Sequence, residues 1–199
     1  MDGFRIQGNN LPVESVLISV SKVWVAEMRK YLPEALLWMF VINLGVAFDT
    51  GIYESRVVIP LWENTLPQTW PNTGLLFWVY VTTVPLTLLT LANLVAAWRD
   101  QGTRRYWWLG AVAIIIVERI VTFSYFIPTM LWLMGAEDLS QAEVNAVLSQ
   151  WLLLDYGRHV LTLVGWLAAL KALSLPSKSG GYPMVGGYGD LHYEVNRKG

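Results

Sequence analysis

Four long apolar blocks constrain the fold of this chain more than any other feature of its sequence. They cover about residues 33–60, 74–98, 105–134 and 140–173. Each block supplies the roughly 20 residues that a helix needs to cross a bilayer. The pattern therefore predicts an all-α integral membrane protein, and the short connections between blocks predict an up-down-up-down four-helix bundle over residues 33–174.

The composition agrees with a membrane protein and excludes several other classes. Of the 199 residues, 54% are hydrophobic and 15% are charged, whereas soluble domains average about 25% charged residues. The absence of cysteine excludes disulfides, thiolate metal sites and a cysteine nucleophile. A net charge of -1 lacks the basic excess of a nucleic-acid-binding protein. We expect as partners membrane lipids, a small hydrophobic substrate, and further copies of the chain or a larger membrane complex.

Two segments flank the predicted bundle. Residues 1–32 contain an arm and an amphipathic helix, because apolar residues recur at three- and four-residue steps over 12–31. This helix lies on the membrane surface or packs on the bundle as a cytoplasmic helix. Pro33 stands where the first helical position of the first span is expected. Residues 175–199 form a Gly- and Tyr-rich cytoplasmic tail.

Basic residues predict the orientation of the spans. Eleven Lys and Arg residues lie in the two terminal regions and in the connection between the second and third blocks. The other two connections, residues 61–73 and 135–141, contain none. Because short cytoplasmic connections carry the excess of Lys and Arg, we expect both termini in the cytoplasm.

Local signals mark helix ends and kinks. Ser140 and Glu143 have the spacing of a capping box at the start of the fourth helix, which should stop before Pro176. The Asn72-Thr73 pair can cap the second helix. Pro85 and Pro128 lie inside the second and third blocks and tend to kink them. Such kinks either widen a pocket or are ordinary features of membrane helices.

Ionisable side chains interrupt three of the four blocks near their middle. They are Asp49, Glu54, Arg56, Glu118, Arg119, Asp155, Arg158 and His159. A charge at the bilayer centre costs at least about 2.5–3.5 kcal/mol, so these residues need partners or a function. We expect them to form one buried polar layer near the bilayer midplane. The layer is either a functional site or the polar contact that holds the helices together.

Helical spacing predicts which layer residues share a face. Asp155, Arg158 and His159 follow i, i+3, i+4 spacing. We expect five charged residues to face one another inside the bundle: Asp49, Glu118, Arg119, Asp155 and Arg158. The residues that we expect to contact a substrate are Asp49, Glu118, Tyr125, Trp151 and Asp155.

Glu54 and His159 are the expected proton-handling groups of the layer. Glu54 is offset from the predicted stripe of Asp49 and Arg56, and a histidine among carboxylates is typical of an oriented general base. Asp155 and His159 could share a metal ion, but a lone histidine beside two arginines is a poor cation site. We expect no metal and no cofactor.

Several segments together resemble the anthrone-oxygenase-like membrane proteins. These segments are residues 51–62, 77–78, 118–130 and 151–158, within a resemblance that covers about residues 34–174. The family contains small four-span proteins, and its characterised members oxidise polyketide anthrones to anthraquinones with O2 and without a cofactor.

The resemblance implies a cofactor-independent oxygenase in a bacterial inner membrane. Its catalytic residues would be Glu54, Arg119, Arg158 and His159, with a base that removes a substrate proton and cations that stabilise the enolate. The alternative is a non-catalytic accessory or binding subunit of a larger membrane complex, in contact with lipid or quinone. A transporter is disfavoured because the chain shows no inverted repeat.

Overall fold

The computed structural model describes residues 13–63, 65–70 and 74–177, with side chains described from residue 31 onward. Over these residues the regular secondary structure is helical throughout, as the sequence predicted. The described residues contain six α-helices: α1 (Val13–Tyr53), α2 (Leu75–Phe77), α3 (Val84–Arg99), α4 (Thr103–Val121), α5 (Ile127–Gly135) and α6 (Gln141–Leu173). Short 3-10 turns cover Ile59–Leu61 and Pro67–Thr69.

In the part of the chain that the structure describes, three continuous helical stretches are long and apolar enough to cross a membrane. They are Tyr31–Leu61, Leu75–Arg99 and Thr103–Gly135. They match the first three predicted blocks to within a few residues. The fourth block forms α6, which has 33 residues but is interrupted by Asp155, Arg158 and His159.

The first helix does not begin where the sequence analysis placed it. Helix α1 runs without a break from Val13 to Tyr53, so Pro33 lies inside a helix and not at its first position. A proline in a helix removes one backbone hydrogen bond, and the 41-residue helix retains the others on both sides. Residues 1–12, the Asn72-Thr73 cap and residues 178–199 of the predicted tail lie outside the described residues.

Three π-helical segments interrupt the first three spans, and each ends two residues before a proline. They are Glu54–Val58 before Pro60, Trp78–Thr83 before Pro85, and Thr122–Phe126 before Pro128. A proline cannot donate a backbone hydrogen bond and collides with the carbonyl four residues earlier. A π-helical turn shifts the hydrogen-bond register by one residue and so accommodates this missing bond. Helix α6 contains neither a proline nor such a segment.

Two apolar clusters form the core. The first joins Leu37–Leu44 of α1 to Trp108–Ile115 of α4 and to Ala168–Ala172 of α6. The second joins residues around Trp62, Phe126 and Trp151. Along α1, α4 and α6 the ionisable residues fall between the two clusters, so the predicted polar layer separates them.

Hydrogen bonds between neighbouring segments define the two ends of the molecule. Near one end, the Asn93 amide donates to the Leu36 carbonyl at 3.1 Å and its oxygen accepts from the Trp108 indole at 3.0 Å. At the opposite end, Gln68 donates to the Ala136 carbonyl at 2.7 Å. The described parts of the two connections without Lys or Arg therefore lie side by side, and we call this the acidic end (residues 62–63, 65–70 and 136–140).

The predicted capping box at the start of α6 is confirmed. The Ser140 backbone amide and hydroxyl donate to the Glu143 carboxylate at 2.9 and 2.7 Å, and the Glu143 amide donates to the Ser140 hydroxyl at 3.4 Å. Hydrogen bonds from the Ser140 hydroxyl, and then from its amide, hold the pKa of Glu143 below its usual value. Helix α6 ends at Leu173, before Pro176 as predicted.

Candidate functional site

A network of buried ion pairs lies between the two apolar clusters. Arg119 donates two hydrogen bonds to the Glu118 carboxylate through Nε and Nη2. Arg158 donates to Asp155 Oδ1 through Nε at 2.7 Å, and its Nη1 lies 3.7 Å from Glu118 Oε1. Arg158 therefore connects α6 to α4. The structure brings together four of the five charged residues that were expected to face one another.

Hydroxyl groups add hydrogen bonds to the two carboxylates of this network, Asp155 and Glu118. Ser55 donates to Asp155 Oδ2 at 2.8 Å, and Thr122 donates to Glu118 Oε1 at 3.0 Å. Buried carboxylates are tolerated when pairing and hydrogen bonding replace their hydration. Ser55 was not among the predicted site residues. Its only signal in the sequence is its position one turn after Gly51, on the same face of the helix.

Asp49 does not belong to the network, so its predicted inward position is wrong. Asp49 is exposed, and so is Arg56, which lies over the ring of Tyr156 at 5.4 Å. At this depth the buried face of the first span is formed by Gly51, Glu54 and Ser55. Asp49 lies two residues before Gly51, about 200° away around the helix, and therefore points in another direction.

His159 lies against the backbone of α1. Its Nδ1 is 3.4 Å from Asp155 Oδ2, and its ring makes an edge contact with Phe48. A Cβ at position 51 would come within 2.1 Å of His159 Nε2, so only glycine at this position leaves room for the ring. His159 is not among the residues that line the pocket described next.

Glu54 lines a pocket on the side of the network that faces the acidic end. The pocket encloses about 640 Å³, including the part that is open to the surroundings. Its polar residues are Glu54, Thr83, Thr122 and Arg158. The rest of the lining is apolar: Trp62, Leu75, Trp78, Phe126, Ile127, Met130, Leu131, Met134 and Trp151.

All three π-helical segments contribute to this pocket. Glu54 belongs to the first, Trp78 and Thr83 to the second, and Thr122 and Phe126 to the third. The register shift that each proline causes is therefore located at the pocket wall. Of the two interpretations of the helix-breaking prolines, this arrangement favours a widened pocket.

Glu54 is buried without a direct counter-ion. Its side chain is 7% exposed and hydrogen bonds to the Trp78 side chain. It has no ion-pair partner among the described residues. The nearby charges are those of Arg158 and Asp155, which are paired with each other. The Glu54 carboxyl is therefore the acidic group of the site that remains available to a molecule in the pocket.

The structure divides the other predicted site residues between the pocket and its surroundings. Arg158 and Trp151 line the pocket beside Glu54, whereas Arg119, Glu118 and Asp155 lie behind it in the network. Tyr125 is half-buried and packs on Phe126 outside the pocket lining. Within the described part of the chain, no three His, Asp or Glu side chains are grouped to hold a metal ion.

Comparison of the chain with protein-family models, with curated proteins and with solved structures finds no match.

Proposed function

We propose that the chain is a four-span membrane protein whose pocket binds a hydrophobic aromatic molecule, with Glu54 as the group that accepts its proton. The fourth span is α6. At about 1.5 Å per residue its 33 residues extend over about 50 Å, which exceeds the roughly 30 Å hydrocarbon core. Its charged residues pair with α4 and with each other, which lowers the cost of placing them in the membrane.

The proposed site combines an apolar pocket with a buried carboxyl that has no counter-ion, and this observation carries the proposal. An aromatic substrate fits the apolar wall, and its acidic C–H group would lie against Glu54. Proton transfer to Glu54 leaves the total charge of the buried site unchanged, because the negative charge moves from the carboxylate to the substrate. The Arg158 guanidinium at the same wall would then stabilise the substrate anion.

The reaction class that we propose is oxygenation without a cofactor. A substrate CH2 group loses one proton to Glu54, and the resulting carbanion transfers an electron to O2. The radical pair combines to a C–O bond, and the peroxide anion takes the proton back from Glu54. The hydroperoxide then loses water, with the second hydrogen of the CH2 group, and a carbonyl group remains. The CH2 group and O2 are thus converted into a carbonyl group and one water molecule. Anthrones carry such an acidic CH2 group between aromatic rings.

Replacement of Glu54 by glutamine tests this role. Glu54→Gln keeps the size of the side chain and removes its ability to accept a proton. We expect anthrone-dependent O2 consumption by the purified protein to fall about 10²–10⁴-fold, as is typical for loss of a general base. The matched control is Glu63→Gln, an exposed residue outside the pocket, which should retain full activity. Equal activity of the wild type and Glu54→Gln would refute the assignment.

A second candidate function is an accessory or binding subunit, and the ion-pair network favours it. The Arg158–Glu118 pair joins α4 to α6, and the hydrogen bond from Ser55 to Asp155 joins α6 to the first span, as a purely structural layer would. Arg158→Leu leaves Asp155 buried without its cation and should destabilise the protein by about 3–5 kcal/mol. Thermal unfolding of the purified variants measures this loss. Arg56→Leu, at an exposed position, is the control and should change the stability little.

The enzyme function and the accessory function predict different results when the Arg158→Leu and Glu54→Gln variants are considered together. If Arg158→Leu destabilises the protein and Glu54→Gln changes neither turnover nor stability, the layer is structural and the accessory function is supported. If Glu54→Gln loses turnover while it unfolds at the wild-type temperature, the enzyme function is supported.

A further inference from the structure

We propose that the pocket also binds lipophilic organic cations, and that each bound cation displaces one proton from the site. This binding activity does not rest on the oxygenase reaction, although it uses the same pocket. Three features favour such binding: the charges around Glu54, the aromatic wall of the pocket and the access to the pocket from the membrane.

The buried site contains one carboxyl more than its permanent cations can balance. Its charged groups are Glu54 on the first span, Glu118 and Arg119 on α4, and Asp155 and Arg158 on α6. His159 on α6 is the remaining titratable group, and it lies behind Asp155. Arg119 is paired with Glu118 and Arg158 with Asp155, so Glu54 is the surplus acid. A charge in a low-dielectric site requires compensation by a proton or by a cation.

The wall around Glu54 suits a cation that is large and apolar. Trp62, Trp78, Phe126 and Trp151 line the pocket, and aromatic rings attract organic cations through their negative faces. Ring contacts hold three of these side chains, one of them through Trp70 outside the pocket lining. Trp62 stacks on Trp70 with centroids 4.7 Å apart, and Trp151 packs edge-to-face on Phe126. A preformed aromatic wall loses little conformational entropy when a ligand binds.

The same wall disfavours small inorganic cations. Besides Glu54, its polar side chains are Thr83, Thr122 and Arg158, and Arg158 is itself a cation. A hydrated metal ion prefers several oxygen ligands, which this wall does not supply. A lipophilic cation needs only one carboxylate and the surrounding rings. We therefore expect ammonium or phosphonium centres that carry aromatic or alkyl groups.

The pocket is open to molecules dissolved in the membrane. Leu75 and Leu131 belong to its lining and are 44% and 52% exposed. Both are apolar, and both lie on helices long and apolar enough to span the bilayer. A lipophilic cation can thus enter from the lipid without crossing a polar surface.

Calorimetry with tetraphenylphosphonium tests the proposal on the full-length protein in detergent. Titrations in two buffers of different ionisation enthalpy give the number of protons released per cation. We expect release of up to one proton and an affinity that rises with pH by at most tenfold per unit. An affinity that does not change with pH and no proton release would overturn the exchange.

Glu54→Gln should weaken tetraphenylphosphonium binding by about 30-fold or more, because the cation loses its buried counter-charge. Glu63→Gln is the matched control and should bind like the wild type. The uncharged analogue triphenylphosphine oxide should bind both Glu54 forms alike. Equal affinity of wild type and Glu54→Gln for the phosphonium would overturn the proposal.

A second variant keeps the test decisive if Glu54→Gln does not fold. Trp62→Leu leaves the carboxyl in place and removes one ring, so binding should weaken by about 2- to 30-fold. Unchanged affinity in this variant would contradict the aromatic wall. Because these measurements use binding and not turnover, they remain valid if the oxygenase assay fails. If the oxygenase assignment is correct, tetraphenylphosphonium should inhibit turnover competitively.

Discussion

Gly51 shows how much one residue without a side chain can determine at this site. Its missing Cβ lets the imidazole of His159 approach the backbone of α1, where it also lies beside Asp155. In the sequence, the charged residues Asp49 and Arg56 predict the inward face of the first span. The structure instead places Gly51 and Ser55 there, because close packing against α6 requires small residues. Helical spacing alone does not distinguish these two faces.

Gly51→Ala should therefore destabilise the protein. The new methyl group would lie 2.1 Å from His159 Nε2 and would displace the ring. We expect a loss of about 1–3 kcal/mol in the free energy of unfolding, as for other overpacked cores.

Gly157→Ala is the matched control on α6, because nothing lies within 4 Å of a Cβ at that position. It should stabilise the helix by roughly 0.5–1 kcal/mol. In the His159→Ala background, Gly51→Ala should cost less stability than in the wild type, since the collision then has no partner. Two single Gly→Ala variants of equal stability would contradict this account.

The two ends of α6 are the helix boundaries that the sequence predicted well. Ser140, Glu143 and Leu173 mark the ends of α6 as expected, because a cap depends on residues within about four positions of each other. The π-helical segments were not predicted. A proline indicates that one backbone bond is missing, but the register that the preceding turn adopts depends on packing. The Pro33 position shows the same limit, since α1 continues through it.

Ser140→Ala should remove the cap of α6 and lower stability by about 1 kcal/mol. Ser149→Ala is the control, because this hydroxyl only bonds to the carbonyl of its own preceding turn. It should change stability little in either direction. Thermal unfolding of both variants in the same detergent makes the comparison, and an equal loss in both would contradict the role of the cap.

The cap also predicts a pH dependence. Hydrogen bonds from Ser140 lower the pKa of Glu143 in the folded state. A lowered folded-state pKa contributes stability that is present above the unfolded-state pKa and is lost as pH falls through the folded-state value. The stability difference between wild type and Ser140→Ala should therefore shrink on acidification below the usual titration range of a glutamate.

At the scale of the whole molecule, the sequence predicted an all-helical chain with apolar spans, and the structure agrees for three of them. The hydrophobic pattern is sufficient for this, because each spanning helix satisfies its own backbone. The pocket could not be predicted in this way. It forms where three register shifts on three different spans come together, and no single segment of sequence contains that information.

The orientation of the molecule remains a prediction that labelling can test. The wild type has no cysteine, so single cysteines can be introduced as the only thiols. Gln68→Cys and Asp138→Cys, both at the exposed acidic end, should react with an impermeant maleimide added outside intact cells. Thr103→Cys, exposed at the other end, should react only after permeabilisation. The reverse labelling pattern would show that both termini lie outside the cytoplasm.

The separation of the two apolar clusters by the polar layer determines from which side of the membrane a molecule can reach the pocket. The cluster away from the acidic end packs tightly through small residues, such as Ala168 and Ala172, and through Gly165, where a Cβ would lie 2.6 Å from Ile115. The pocket lies on the other side of the layer, among the residues of the second cluster. In the predicted orientation, which has both termini in the cytoplasm, a lipid-dissolved molecule would reach Glu54 from the leaflet remote from the cytoplasm. Its concentration in that one leaflet would then set the occupancy of the pocket.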